Sequence, residues 1–268
     1  MLVPIQTSGH KPPLFFVHGR PGIMPVGRTI SRVLGPDQPL YVFHANGIDG
    51  REPVIDNVPE MVRTYTADIY RFCPTGPLVI GGMCDGTFAA MEIAQELKKR
   101  GRQVGPLILT SPTLFPPGMM RDNQTLDPKE PLLAGQLYGH MRRSLLDHAR
   151  YSYNELPFDP ADPNQLHAAT LAAVGCLVAV AKHVPSPFAG PSHLIVAAPR
   201  AVGFFHPNAP WPTLLPGIRT CYVLPWDHME MFRDGLPTVA RLIKVFLEEE
   251  PVVEIRPTRA VARAAAGR

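Results

Sequence analysis

Pro77-Leu78-Val79-Ile80-Gly81-Gly82-Met83-Cys84-Asp85-Gly86 decides the reading of this chain. The apolar run Pro77 to Gly81 has the length and composition of a buried strand. From Asp85 to Arg100 the apolar positions Phe88, Met91, Ile93 and Leu97 recur at helical spacing, and the basic end Lys98-Lys99-Arg100 precedes Gly101, as at a helix C-terminus. Between strand and helix stands Gly82-Met83-Cys84-Asp85-Gly86, the G-x-S-x-G spacing of a nucleophile elbow with cysteine in the serine position. A tight strand-to-helix turn needs small flanking residues, and it leaves the nucleophile at a helix N-terminus, where the dipole favours a thiolate. The backbone N–H of Asp85 then becomes one expected oxyanion donor. A second is expected from the loop after an early strand, His18-Gly19-Arg20-Pro21, where Pro21 has no N–H and the amide of Arg20 is the candidate.

Outward from the elbow, Pro13 to Val17, Leu40 to Phe43, Pro106 to Leu109, His193 to Ala197 and Thr220 to Leu224 read as further short apolar strands. Val58, Met61, Tyr65, Ile69 and Phe72 mark a helix between Asp56 and Cys73, with Asn57 as its N-cap, and a last helix is expected from about Pro237 to Glu249. Strands alternating with helices predict an α/β fold, a mostly parallel central sheet flanked by helices. From about 113 to 191 only helical patterns occur, around Gly135 to Tyr153 and Asn164 to Val184, so this stretch is expected to be a lid inserted over the C-terminal edge of the sheet. Its apolar positions Leu145, Leu146, Leu166, Leu171, Val174 and Leu177 suit a hydrophobic cleft. One domain over residues 1–250 and a flexible basic tail over 251–268, carrying Arg256, Arg259, Arg263 and Arg268, complete the expected organisation.

Composition narrows the function classes. Of 268 residues 45% are hydrophobic and 18% charged, which is ordinary for a globular domain, while 32 prolines imply many stiffened connections. A net charge of +3 gives little support to a nucleic-acid partner. The start of the chain lacks a leader pattern, and Leu166 to Val184 is broken by His167, Thr170 and Lys182. A cytoplasmic protein without a membrane partner is therefore expected. Cys73, Cys84, Cys176 and Cys221 have no metal-ligand spacing, so no metal is expected, and all but Cys84 read as buried fillers.

Several segments together carry a likeness: Pro13 to Gly19, Asp37-Gln38-Pro39-Leu40-Tyr41, Asn46 to Gly50, Met61 and Tyr65, Gly76 to Gly82, Glu92 to Leu97 and Trp226-Asp227-His228-Met229-Glu230-Met231. Over about Pro13 to Leu247 the chain resembles the α/β-hydrolase thioesterases of nonribosomal peptide and polyketide assembly lines, especially the stand-alone type II kind. The resemblance implies that His228 is the general base to Cys84. It implies no permanently bound cofactor, and a substrate carried as a phosphopantetheine thioester by an acyl or peptidyl carrier protein, which Arg20, Lys98, Lys99 and Arg142-Arg143 could meet. It says nothing of oligomeric state.

Against that family the acid is missing. Its usual position reads Leu109-Thr110-Ser111-Pro112, with Thr110 in the expected slot; the alternative reads Ala198-Pro199-Arg200, and Asp227 adjoins His228 too closely to orient it. A Cys84–His228 dyad with Thr110 as a possible orienting residue follows. Because acyl-Cys84 would be a thioester, near in energy to the thioester it came from, it suits transfer to an acceptor. Hydrolytic editing, Dieckmann-type cyclisation and carrier binding without catalysis stay open as alternatives.

Overall fold

The computed structural model describes residues 1–113, 131–150, 156–198 and 211–248. The described strands are β1 (Leu2–Gln6), β2 (Leu14–Val17), β3 (Leu40–Phe43), β4 (Val79–Met83), β5 (Leu107–Thr110), β6 (Ser192–Ala197) and β7 (Ile218–Leu224). They form one sheet in the order β1-β3-β2-β4-β5-β6-β7. Every pairing is parallel except β1 with β3. From β2 the chain moves outward to β3, crosses back to β4 and then proceeds in the other direction. That reversal leaves a crevice at the C-terminal ends of β2 and β4, where open parallel sheets place their ligands.

The described helices are α1 (Gly27–Leu34), α2 (Val58–Phe72), α3 (Gly86–Lys99), α4 (Pro131–Ala149), α5 (Pro163–Lys182), α6 (Trp211–Leu214), α7 (His228–Met231) and α8 (Leu236–Glu248). Alternation along the strands divides the core in two. Phe15, Val17, Phe43, Ile80, Leu107, Leu109 and Leu194 face α2 and α3. Leu14, Phe16, Val42, Val79, Ile108 and Ile195 face α1 and α8. Strands buried on both faces are what near-continuous apolar runs describe. Asn57 caps α2 by accepting a hydrogen bond from the Glu60 N–H at 2.9 Å, an interaction generally worth about 1 kcal/mol.

Four described elements went unread in the sequence: β1, α1 and the two four-residue helices α6 and α7. β1 is a half-exposed edge strand whose apolar residues Leu2, Val3 and Ile5 are interrupted by the exposed Pro4, and proline is tolerated at an edge where no ladder bond is needed. α1 is short, and its N-cap residue Val26 makes no side-chain capping bond. Within the segment expected to be a lid, α4 and α5 pack on one another, and no strand occurs among its described residues. By length and composition α5 could cross a bilayer, but Ala169, Ala173, Cys176 and Ala179 are buried against the domain. The expected tail, 251–268, lies outside the described residues.

Candidate active site

β4 ends at Met83 and α3 begins at Gly86, so the turn consists of Cys84 and Asp85. Cys84 has φ 51°, in the left-handed region that non-glycine residues rarely occupy, and its N–H donates to the Thr110 carbonyl at 2.9 Å. Its own carbonyl accepts from the Thr87 hydroxyl at 2.7 Å. The turn is therefore clamped from β5 on one side and from α3 on the other. Strain held in this way by surrounding bonds is a mark of functional positions.

The loop after β2 lies directly against the elbow. A Cβ on Gly19 would come within 2.9 Å of the Cys84 Cβ, so only glycine lets this loop approach so closely. The loop turns at Gly19 to Gly22, closed by the Gly22 N–H donating to the Gly19 carbonyl at 2.7 Å, and the Arg20–Pro21 peptide bond within it is cis. Arg20 reaches back to the elbow. Its Nε donates to Asp85 Oδ2 at 2.6 Å, and the Asp85 side chain is only 7% exposed. Burial works against the Arg20 charge, but Asp85 and Cys84 beside it hold the guanidinium pKa above its ordinary value. The Cys84 thiol approaches the other carboxylate oxygen, Asp85 Oδ1, at 3.9 Å. Neither the ion pair nor its burial was legible in the sequence, where Asp85 was marked for its backbone amide and Arg20 for its amide and as a cation that could meet a carrier protein.

His18 is fully enclosed behind this loop. Its Nδ1–H donates to the Gly19 carbonyl at 3.1 Å and its Nε2 accepts from the Tyr65 hydroxyl at 2.9 Å. Burial lowers its pKa to about 4, and lowers that of His44, whose Nδ1 accepts from the Met24 N–H, to about 3. Both imidazoles are neutral parts of the scaffold in the folded protein. In the unfolded chain they would take up protons below about pH 6.5. Stability from these residues is therefore complete above pH 6.5 and declines as the pH falls toward 4, by up to about 1.4 kcal/mol per pH unit for each histidine. Urea unfolding midpoints measured from pH 7 to pH 4 are expected to fall through this window. In the double variant His18→Gln/His44→Gln the fall is expected to be shallower.

His228 opens α7, immediately after β7. Asp227 is its N-cap: the carboxylate accepts from the N–H groups of Met229 and Glu230, both at 2.8 Å, while Glu230 accepts from the Asp227 N–H. That capping box holds the Asp227 carboxylate on the backbone of α7. The imidazole packs edge-on to the Phe232 ring with centroids 5.4 Å apart, and its Nδ1 is hydrogen-bonded to the hydroxyl of Ser111 at 2.7 Å.

Here the sequence expectation is corrected by one residue. Thr110, placed in the acid's slot, ends β5 and turns its hydroxyl to the Gly82 carbonyl at 3.3 Å, toward the neighbouring strand. Ser111 is the residue at the imidazole. It is fully buried, has φ 45°, and is fixed by its N–H to the Ile195 carbonyl at 2.6 Å. Leaving the strand in this left-handed conformation redirects the chain, and the hydroxyl that meets His228 is the first one beyond the strand. Since the Cys84 N–H bonds to residue 110 and His228 bonds to residue 111, the elbow and the histidine share one edge of the sheet.

A cleft of about 390 Å³ opens at this edge, lined among others by Arg20, Ile23, Val26, Met83, His228 and Phe232. A larger hollow of about 530 Å³ lies by β1 and includes Val3, Ile5, Met24 and His44 but none of the groups at the elbow. On the far side of Arg20 and Asp85, α5 closes over the elbow with Cys176, Leu177 and Val180. Burial pushes the Cys176 and Cys221 thiols up to about 12, so both are inert fillers as expected. Cys73 departs from that expectation, being half-buried at the end of α2, where its Sγ lies 3.3 Å from the Thr75 carbonyl. Among the described residues no group of three or more His, Cys, Asp or Glu side chains could hold a metal ion.

Residues 12–153, more than half of the chain, match the family described as "Thioesterase domain". The chain belongs to the thioesterase-domain family. It is 37% identical over 113 residues to malpibaldin synthetase of Mortierella alpina, a stretch that is 42% of this chain and 2% of that protein. It is 30% identical over 134 residues to the dimodular nonribosomal peptide synthase of Bacillus subtilis (strain 168), covering 50% of this chain and 6% of that protein. The thioesterase domain described here thus spans a small part of the length of these relatives. Among solved structures it is similar to a four-domain nonribosomal peptide synthetase bound to AMP and glycine, with a TM-score of 0.71 at 21% identity over 93% of this chain and 20% of that one. At that identity the likeness supports the fold, and the thioesterase domain accordingly has the α/β-hydrolase architecture: a mostly parallel sheet flanked by helices.

Proposed function

We propose that this thioesterase domain is an acyl-transfer enzyme with Cys84 as its nucleophile. It takes an acyl or aminoacyl group from a phosphopantetheine thioester on an acyl or peptidyl carrier protein and hands it to an acceptor. The observation that carries this reading is the elbow itself. A cysteine with φ 51° stands at the N-terminus of a 14-residue helix, on the same sheet edge as a histidine whose Nδ1 is fixed by a buried hydroxyl.

In the proposed reaction the Cys84 sulfur bonds to the acyl carbonyl carbon, and the carbon–sulfur bond to pantetheine breaks. His228 accepts the Cys84 proton and returns it to the departing pantetheine thiolate. While the carbon is tetrahedral its oxygen carries negative charge. The amides of Asp85 and Arg20 are the proposed donors to it, and the Arg20–Asp85 ion pair supports this assignment because it ties the two donating segments together. Arg20 also contributes a fixed cation beside the site. Delivery reverses the first step with a different acceptor: the incoming thiol or amine bonds to the carbonyl carbon and gives its proton to His228, the carbon–sulfur bond to Cys84 breaks, and the proton passes to the departing Cys84 sulfur. No permanently bound cofactor enters the scheme, and pantetheine arrives with the substrate.

Intact-mass measurement tests the reading. Incubation with acetyl-, hexanoyl- and glycyl-pantetheine is expected to add one acyl mass, mapped by proteolysis to Cys84, and free pantetheine is expected to remove it. Absence of any adduct on Cys84 with all three probes, and with acyl-loaded carrier protein, would exclude a covalent role for this residue.

A further inference from the structure

We propose that Arg20 and Asp85 act as an opposed pair on the Cys84 sulfur, the guanidinium favouring its thiolate and the carboxylate restraining it. Both are positioning residues in this role, acting only through Cys84. The inference deepens the proposed Cys84 chemistry and rests on it for its purpose, which is to set how readily the sulfur attacks and how readily it leaves.

The carboxylate is divided between two neighbours. Asp85 Oδ2 accepts from Arg20 Nε at 2.6 Å and also meets a terminal nitrogen of the same guanidinium. Its other oxygen, Oδ1, lies 3.9 Å from Cys84 Sγ, so the protonated thiol donates to it and the thiolate loses that bond. Because Asp85 and Cys84 are both buried, water screens the two poorly. An anion this close opposes ionisation of the thiol and a nearby cation favours it, each commonly moving a pKa by about 1–3. Arg20 feels the same sulfur: burial opposes its charge, while Asp85 and then Cys84 favour it.

Opposition of this kind suits exchange between thiols. With Asp85 absent, a helix N-terminus and a cation would act on the sulfur together, and thiols so placed are strongly acidified. A strongly acidified thiol is a weak nucleophile and a fast leaving group. In the exchange, the bond from Cys84 to the acyl carbon forms, the bond from pantetheine sulfur to that carbon breaks, and one proton passes from Cys84 to pantetheine. The relative acidity of the two thiols therefore decides which of them keeps the acyl group.

The other titratable groups near the elbow are common to every variant compared below. Burial lowers His18 to about 4 and raises Tyr65 and Cys176, the latter to about 12, so all three are uncharged near neutral pH. His228, Asp147 and His148 of α4, and Arg233 line the adjoining cleft. The midpoint of a pH profile belongs to the sulfur and these neighbours together, and differences between variants isolate the pair.

Wild type, Arg20→Gln, Asp85→Asn and the double variant test the proposal, each with its fold checked by circular dichroism. Alkylation of Cys84 by iodoacetamide, mapped by proteolysis and mass, is timed against pH. The midpoint is expected to rise by about one pH unit or more in Arg20→Gln, to fall by about one or more in Asp85→Asn, and to lie within about one of wild type in the double variant. Arg20→Lys, which keeps the cation, is expected to lie closer to wild type than Arg20→Gln. Either single substitution breaks the same ion pair, so a purely structural bond would move both midpoints in one direction; charge moves them in opposite directions. Shifts of one sign, or no shift in either, overturn the proposal. Should one single variant not fold, the sign of the other decides. Should neither fold, the double variant, which strands no charge, decides, and a midpoint further from wild type than expected overturns the proposal. Where iodoacetamide does not reach Cys84, the ultraviolet absorbance of its thiolate, taken against the matching Cys84→Ala protein, gives the same midpoints. Alkylation needs no acyl group, so a failure of acyl transfer is a separate result and leaves these midpoints readable.

Discussion

Cys84→Ala is expected to lower acyl transfer from acyl-pantetheine by about 10⁴-fold or more and to abolish the acyl adduct, while leaving the unfolding midpoint close to that of the wild type. The thiol is lost, but the backbone bonds that hold the elbow, from the Cys84 N–H to Thr110 and from Thr87 to the Cys84 carbonyl, are available to any residue there. An unchanged adduct would move the nucleophile elsewhere. Cys84→Ser is more informative. A serine hydroxyl must lose its proton to a base as it attacks, whereas a thiol needs far less help to reach its reactive form, so this variant is expected to acylate at least about 100-fold more slowly than wild type. If Cys84→Ser acylates as fast as wild type, the first step does not depend on the thiol.

The elbow was legible in the sequence because three local signals agree there: an apolar strand, glycines at fixed offsets and a helix with one apolar face. Such features depend on neighbours in the chain. Residue 111 shows where local reading stops. Thr110 and Ser111 both carry hydroxyls, and which one meets His228 depends on where β5 ends and how the backbone leaves it, set by the bond from Ser111 to Ile195 across the sheet. The ion pair between Arg20 and Asp85 is a still longer-range fact. It exists because β2 and β4 are adjacent in the sheet and deliver their following loops to the same place. Register along β2 and β4 fixes that meeting, and apolar runs such as Leu14 to Val17 specify a strand without naming its neighbour. β1 and α1 escaped for a simpler reason, since a half-exposed edge strand and a short, uncapped helix have little pattern to display.

Gly86→Ala is expected to be the most damaging single methyl group in the elbow. A Cβ at this position would lie 1.9 Å from the His18 carbonyl oxygen and 3.2 Å from that of Val17. Both obstacles are backbone atoms of β2 and its following loop, which cannot move aside by changing rotamer. α3 and β2 would have to separate, at the point where the helix begins and Cys84 is held. A destabilisation of about 4 kcal/mol or more is expected, within the range that marks severe steric mutations. Gly101→Ala provides the comparison, because Gly101 has φ 78° but nothing within 4 Å of the added Cβ. There only the left-handed backbone opposes alanine, which costs about 1–2 kcal/mol. Urea unfolding of the two variants separates the effects, and iodoacetamide labelling of Cys84 in whatever folded Gly86→Ala protein is recovered reports on the elbow itself. If Gly86→Ala proves no more costly than Gly101→Ala, the close approach of α3 to β2 is not what sets Cys84 in place. If it unfolds the protein as expected, the glycine after Asp85 is required for packing as well as for the turn, and the geometry at Cys84 and the stability of the sheet share one contact.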